Sequence, residues 1–282
     1  MFHRFFIPVV LSLLAALPST AGELVLPVFA LNLDGHRGDR WSSEIYLTNP
    51  GDQPILVEIS MFLPGNIEKS TPCDLFMSPT RVVPPQSATV WTAAGLATDL
   101  GCADSARGGL VLRADGPLHV TSRLVNLRES EKGNPGTVLS GRGEAFDATP
   151  IHQLPQAGAH LLPALMWHRN PCGGGAEFET VVGFANPGAD PVEVVLDVPH
   201  ELGRSVLLDG REVFLPHRLE VGGGSWSQYK LAPRRDALAD CGGVESFLVR
   251  LDLSGPVAVY ASVIDRKSGD PRTVTTVPLT SP

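Results

Sequence analysis

The chain has 282 residues, 43% of them hydrophobic, which is enough apolar material for two packed domains and excludes wholesale disorder. Its net charge of −8, with no basic cluster, argues against nucleic acid and anionic membrane surfaces as partners. With 29 glycines, 25 prolines and no collagen period, the chain is rich in turns. Many turns mean many short elements, which favours a β architecture.

In chain order, the first expected element is a leader. Arg4 supplies a positive start, and Phe5 to Pro18 is an apolar stretch too short to span a bilayer as a helix. Ser19-Thr20-Ala21 places small residues where a signal peptidase cuts. Residues 1–21 are therefore expected to be a signal peptide cleaved after Ala21, sending the protein to the periplasm or outside the cell. Loss of Arg4 takes the net charge from −8 to −9. No cysteine follows the apolar stretch, so no lipid anchor is expected. No later apolar run approaches the length of a transmembrane helix.

The mature chain then alternates with period two. Trp41, Ile45 and Leu47 lie on one face of an extended segment, with Ser42, Glu44 and Thr48 opposite. Ile55, Val57, Ile59 and Met61 line one face of the next segment. This is the pattern of half-buried strands. The link between them, Asn49-Pro50-Gly51 followed by Pro54, reads as a tight turn, because proline presets φ and glycine accepts φ > 0. Strands are expected at 24–31, 41–49, 55–63, 80–84, 88–93, 108–114 and 117–126, with a further short one at 137–140. Helical character is confined to a turn near Ala94–Leu100 and one near Arg234–Ala239.

After a Gly- and Ala-rich stretch the same landmarks return. Leu26-Pro27 recurs as Leu162-Pro163, and Asn49-Pro50-Gly51 as Asn186-Pro187-Gly188. Ser87 and Trp91 recur as Ser225 and Tyr229, Cys102 as Cys241, and Gly116-Pro117 as Gly255-Pro256. Gly133-Asn134-Pro135 recurs as Gly269-Asp270-Pro271. A near-constant offset over this length indicates an internal duplication. The expected organisation is a leader at 1–21, repeat 1 at 22–141, a linker at 142–159 and repeat 2 at 160–282. The expected fold is all-β: two tandem antiparallel β-sandwiches of the immunoglobulin-like or fibronectin-III-like kind.

The cysteines fit that plan. Cys73 falls in the third strand connection of repeat 1 and Cys102 in the fifth; Cys172 falls in the first connection of repeat 2 and Cys241 in the fifth. Odd-numbered connections lie at one pole of a sandwich with alternating strands. In an exported protein this predicts the disulfides Cys73–Cys102 and Cys172–Cys241. No C-x-x-C occurs, and no histidine pair stands at ligand spacing beside a cysteine, so no metal site is expected.

No reaction is legible either. Gly-x-Ser-x-Gly, phosphate-loop and dinucleotide glycine patterns are absent. Gly222-Gly223-Gly224 opens no helix, and the mature histidines have no equivalents between the copies. What the copies share is turns, apolar faces and one cysteine. No catalytic residue and no cofactor is expected. Trp167 and Trp226 are specific to copy two, aligning near Leu31 and Ala88. Buried, they are extra core of copy two, the reading that residue type favours; exposed, with His168 beside Trp167, they would form a stacking platform for sugars or a protein hot spot. Val206 to Leu215 around Asp209-Gly210 reads as a hairpin with no counterpart in copy one.

The segment from Leu47-Thr48-Asn49-Pro50-Gly51 to Val57-Glu58, repeated as Phe184-Ala185-Asn186-Pro187-Gly188 to Val192, resembles the second-to-third-strand hairpin of immunoglobulin-like modules in bacterial exported proteins. It is also similar to the first domain of periplasmic pilus chaperones, although their basic subunit-anchoring residues have no match here. A fold-level resemblance carries no function of its own. The expectation is a non-catalytic binding or structural protein of the envelope or secretome, its partner an envelope protein or polysaccharide. The long pole connections, roughly 34–40, 65–80 and 94–106 in copy one and 168–176, 200–217 and 232–243 in copy two, would carry the contact. A carbohydrate-binding protein using Trp167 and Trp226, a chaperone with an open sheet edge, and a hydrolase with an unfamiliar cleft are the alternatives.

Overall fold

A computed structural model describes residues 22–34, 40–65, 73–74, 77–126, 143–167, 178–198, 204–233, 245–265 and 271–279. The expected leader, Cys172, Cys241 and His168 lie outside the described residues, as do the strand at 137–140 and the turn at 234–239.

The first half runs β1 (Gly22–Leu31), β2 (Leu33–Asp34), β3 (Arg40–Asn49), β4 (Ile55–Met61), β5 (Leu63–Pro64), β6 (Thr80–Val83) and β7 (Ser87–Thr92). Helix α1 (Ala93–Asp99) follows, then β8 (Ala106–Ala114), β9 (His119–Asn126), β10 (Gly143–Asp147) and β11 (Thr149–Pro150). The second half has β12 (Gly158–Trp167), β13 (Phe178–Asn186), β14 (Val192–Asp197), β15 (Ser205–Leu208), β16 (Arg211–Phe214) and β17 (His217–Val221). It closes with β18 (Ser225–Pro233), β19 (Glu245–Leu253), β20 (Ala258–Asp265), β21 (Pro271–Thr275) and β22 (Val277–Pro278). No helix among the described residues is long and apolar enough to cross a membrane.

The strands make four antiparallel sheets. In the first half, β11-β1-β8-β4-β6 is one sheet and β10-β9-β3-β7 the body of the other. In the second half, β22-β12-β19-β14-β17 is one and β21-β20-β13-β18 the body of the other, so the strand order is the same in both halves. The order departs from the expected immunoglobulin arrangement. There the first main strand joins the sheet of the second and fifth, and the seventh joins the third and sixth. Here β1 pairs with β8, the sixth main strand, and β9, the seventh, pairs with β3, the second. First and last strands have exchanged sheets, while the second still pairs with the fifth (β3 with β7) and the third with the sixth (β4 with β8).

The repeated Asn-Pro-Gly sequence has a mechanical explanation. Asn49, fully buried, donates its amide to the carbonyls of Gln53 (2.8 Å) and Val83 (3.2 Å) and accepts from the Gly51 N–H (2.9 Å). Asn186 repeats all three bonds with Asp190 (2.8 Å), Val221 (3.0 Å) and Gly188 (2.9 Å). One side chain thereby closes the turn and ties it to the strand opposite, satisfying groups that no ladder reaches. A second shared device links the sheets. The Ser43 hydroxyl accepts from the Ala30 N–H, and the Thr180 hydroxyl donates to the Met166 carbonyl, at equivalent positions. Bulges also match, between Leu26 and Phe29 and between Leu162 and Leu165.

Three further expectations meet the structure directly. Cys73 and Cys102 are disulfide-bonded, tying the segment before β6 to the end of α1, where the Asp74 N–H also donates to the Leu100 carbonyl. The helical turn near Ala94–Leu100 is α1, N-capped by the Thr92 hydroxyl on the Gly95 N–H. The hairpin around Asp209-Gly210 is β15 and β16, with both turn residues at positive φ (50° and 80°) as the turn requires. The stretch 142–159, expected as a linker, instead contributes two strands to the first half. Residues 143–147 extend the β9 edge as β10, and 149–150 pair with β1 as β11. Alternation of Glu144 and Phe146 inward with Gly143, Ala145 and Asp147 outward makes that strand possible in a Gly-rich sequence.

Candidate functional site

The most elaborate arrangement of side chains lies where the halves meet. β13 is buried from Thr180 to Asn186 without alternation, and β20 from Ala258 to Val263. These strands are therefore covered on both faces, where the sequence alone predicted one. Val182, Phe184, Val259 and Ala261 face the core of the second half. Ala185, Ala258, Tyr260 and Trp226 face the other way and belong to the core of the first half.

Trp226 is the centre of this joint. It is 1% exposed, and its Nε1–H donates to the Pro27 carbonyl at 2.8 Å, at the bulge of β1. Gly109 on β8 makes room for it: a Cβ there would meet the indole at 3.2 Å and the Phe62 ring at 3.0 Å. Gly183 does the same for Tyr260, since a Cβ would meet that ring at 2.1 Å. Tyr260 packs edge-on against Phe146, with ring centroids 5.7 Å apart. The backbone joins in as well. β5 adds in parallel to β18 at Ser225 and Trp226, and the Gly65 N–H donates to the Trp226 carbonyl at 2.7 Å.

A carboxylate crosses the same joint. Glu144, 3% exposed, accepts from Ser262 Oγ at Oε2 and from Thr273 Oγ1 at Oε1, each at 2.7 Å. Burial pushes its pKa up to about 7, against the opposing pull of the Thr273 and Ser262 hydroxyls. Burial likewise raises the Tyr260 phenol and lowers the half-buried Arg107 guanidinium.

Beside the joint runs a groove of about 720 Å³. Its walls include Pro27, Phe146, Gln156, His160, Tyr260 and Thr273. His160 Nε2 donates to the Gln156 carbonyl at 2.8 Å, which fixes the ring, and its Nδ1 is shielded from solvent by the protein. Among the described residues no three His, Cys, Asp or Glu side chains converge as a metal site.

The site residues expected from sequence fare unequally. Trp226 is buried, in keeping with the extra-core reading and against the stacking platform; it is the most deeply placed large side chain of the joint. The physical reason is that the Pro27 carbonyl and the space over Gly109 give the indole both a hydrogen-bond acceptor and a cavity to fill. Trp167 ends β12, where its backbone pairs with Glu245. The joint residues Glu144, Tyr260 and Gly109 were not anticipated. Their signal was present: positions that carry Tyr46 and Thr48 in the first half carry Gly183 and Ala185 in the second. Small residues on the outer face of a strand mark a close approach. No family model, no curated protein and no solved structure matches this chain.

Proposed function

We propose that the chain is an exported, duplicated β-sandwich protein that works without catalysis, as a rigid binding or structural element of the envelope or secretome. The observation that carries this reading is the joint. A tryptophan, a tyrosine, a buried carboxylate and a strand addition hold the two halves as one body. A joint of that kind holds the connections at the two poles in a fixed relation, as a binding or spacing role demands. The disulfide Cys73–Cys102 supports export, since such bonds persist in oxidising compartments. In this reading the Cys172–Cys241 bond staples the second half in the same way.

The test is capture from fractionated envelope and culture medium of the source organism, using the oxidised protein as bait. Specific retention of a protein or polysaccharide, lost when 200–217 and 232–243 are replaced, is the expected result. Retention that survives replacement of every pole connection would overturn it. The carbohydrate reading has lost Trp226 and rests on Trp167 alone.

A further inference from the structure

The joint is one-sided. The first half contributes a flank, made of the β1 bulge at Pro27, Gly109 of β8 and Glu144 of β10. The second half contributes a sheet face, made of Trp226, Ala185, Tyr260 and Ser262. Because strand order is the same in both halves, each contact has a register-equivalent pair of positions on two unused surfaces: the sheet face of the first half and the flank of the second.

At the apolar centre those positions carry compensating residues. Gly109 corresponds to Leu248, and Trp226 to Ala88. Where the joint seats a tryptophan over a glycine, the unused surfaces offer a leucine to an alanine. Glu144 corresponds to Arg272, and Ser262, which meets Glu144 across the joint, corresponds to Arg123, cross-paired with Glu44. In a repeated joint Arg272 meets the Arg123–Glu44 cross-strand pair, two guanidiniums to one carboxylate, so the polar contact there is the weaker part of the match. Gly183 with Tyr260 becomes Tyr46 with Thr121, one aromatic per pair in each case.

Exposure marks the same surfaces. Pro27 is buried, whereas its equivalent Pro163 is exposed. On the unused sheet face Tyr46 is 38% and Val90 49% exposed; on the unused flank Leu248 is 37% exposed, beside exposed Val277 and Leu279. The edge of β18 at Ser225–Trp226 is filled by β5, whereas the equivalent edge of β7 at Ser87–Ala88 has no strand partner among the described residues.

We propose that a second copy of this chain lays the sheet face of its first half on the flank of the second half, repeating the internal joint between molecules. Such a contact is heterologous, so each added chain leaves one of each surface open and growth continues head to tail. It rests on the register equivalence and is independent of the pole connections as a binding surface.

Sedimentation of the oxidised protein over a roughly hundredfold range of concentration reads this directly. The mass is expected to rise above that of a single chain as concentration increases. Val90→Arg and Leu248→Arg should each weaken association by about tenfold or more. Both sites are exposed, and circular dichroism melts check that each variant folds. An equimolar mixture of the two should form a dimer and stop, because each variant retains one intact surface. Ala88→Trp alone should block association against Leu248, and adding Leu248→Gly should restore it by recreating the internal pair. A chain that stays monomeric at every concentration, or a variant mixture that stays monomeric, would overturn the proposal. So would undiminished association of Ala88→Trp.

Discussion

The β10-β9-β3-β7 sheet of the first half and the β21-β20-β13-β18 sheet of the second share strand order, turns and inward-facing residues, yet differ on their outer faces. One shows Tyr46, Thr48, Val90 and Thr92 to its surroundings; the other presents Gly183, Ala185, Trp226 and Tyr260 and is covered. Inner faces fix the module, and outer faces decide what the module touches. A strand has period two, so the two sets of residues vary independently along the same chain.

That contrast can be broken most forcefully at Trp226. Trp226→Ala should cost about 3–5 kcal/mol in urea unfolding, by loss of burial and of the bond to Pro27. At the equivalent, exposed Ala88, substitution by Ser should stay within about 0.5 kcal/mol. A cost below about 1 kcal/mol for Trp226→Ala would mean the halves do not stabilise one another.

Glu144 comes next. Its folded pKa of about 7 lies above the ordinary 4.5, so the folded state holds the proton more tightly than the unfolded chain does. Its stabilising contribution is complete below pH 4.5 and is lost as pH rises through about 7, a difference of roughly 3 kcal/mol. Glu144→Gln should flatten that slope and raise the thermal midpoint at pH 8; an unchanged slope would place the titration elsewhere.

Gly183→Ala should destabilise by about 1–3 kcal/mol, because the new methyl would overlap the Tyr260 ring. Tyr46→Ala, at the equivalent site, should cost less than about 1 kcal/mol by the same melt. For the shared inner devices the halves should behave alike. Asn49→Ala and Asn186→Ala each strand buried carbonyls and should cost about 1–3 kcal/mol apiece in matched denaturations.

Much of this was legible beforehand because it is local. Period-two alternation located the strands from 41 to 61 to within a residue or two, and the Asn-Pro-Gly turns declared themselves by residue type. The pairing of Cys73 with Cys102 followed from counting strand connections. The partners of β1 and β9 were not legible, since nothing local distinguishes which open edge a terminal strand will join. β10 was hidden by the glycines around it. Whether Trp226 was extra core or an exposed platform stayed open in the sequence, because its burial depends on Gly109, more than a hundred residues earlier, and a large aromatic unique to one copy looks the same whether it fills a cavity or faces solvent.

The pairing of β1 with β8 and β11 orders events in time. The opening strand of the first half has no partner until residues 106–114 and 149–150 exist, so that half cannot close from its N-terminus onward. The Pro27 carbonyl waits longer still, for an indole 199 residues downstream. A chain emerging end-first from a ribosome or a pore therefore stays pliable through most of its passage, and the two halves lock only after nearly all of it has arrived.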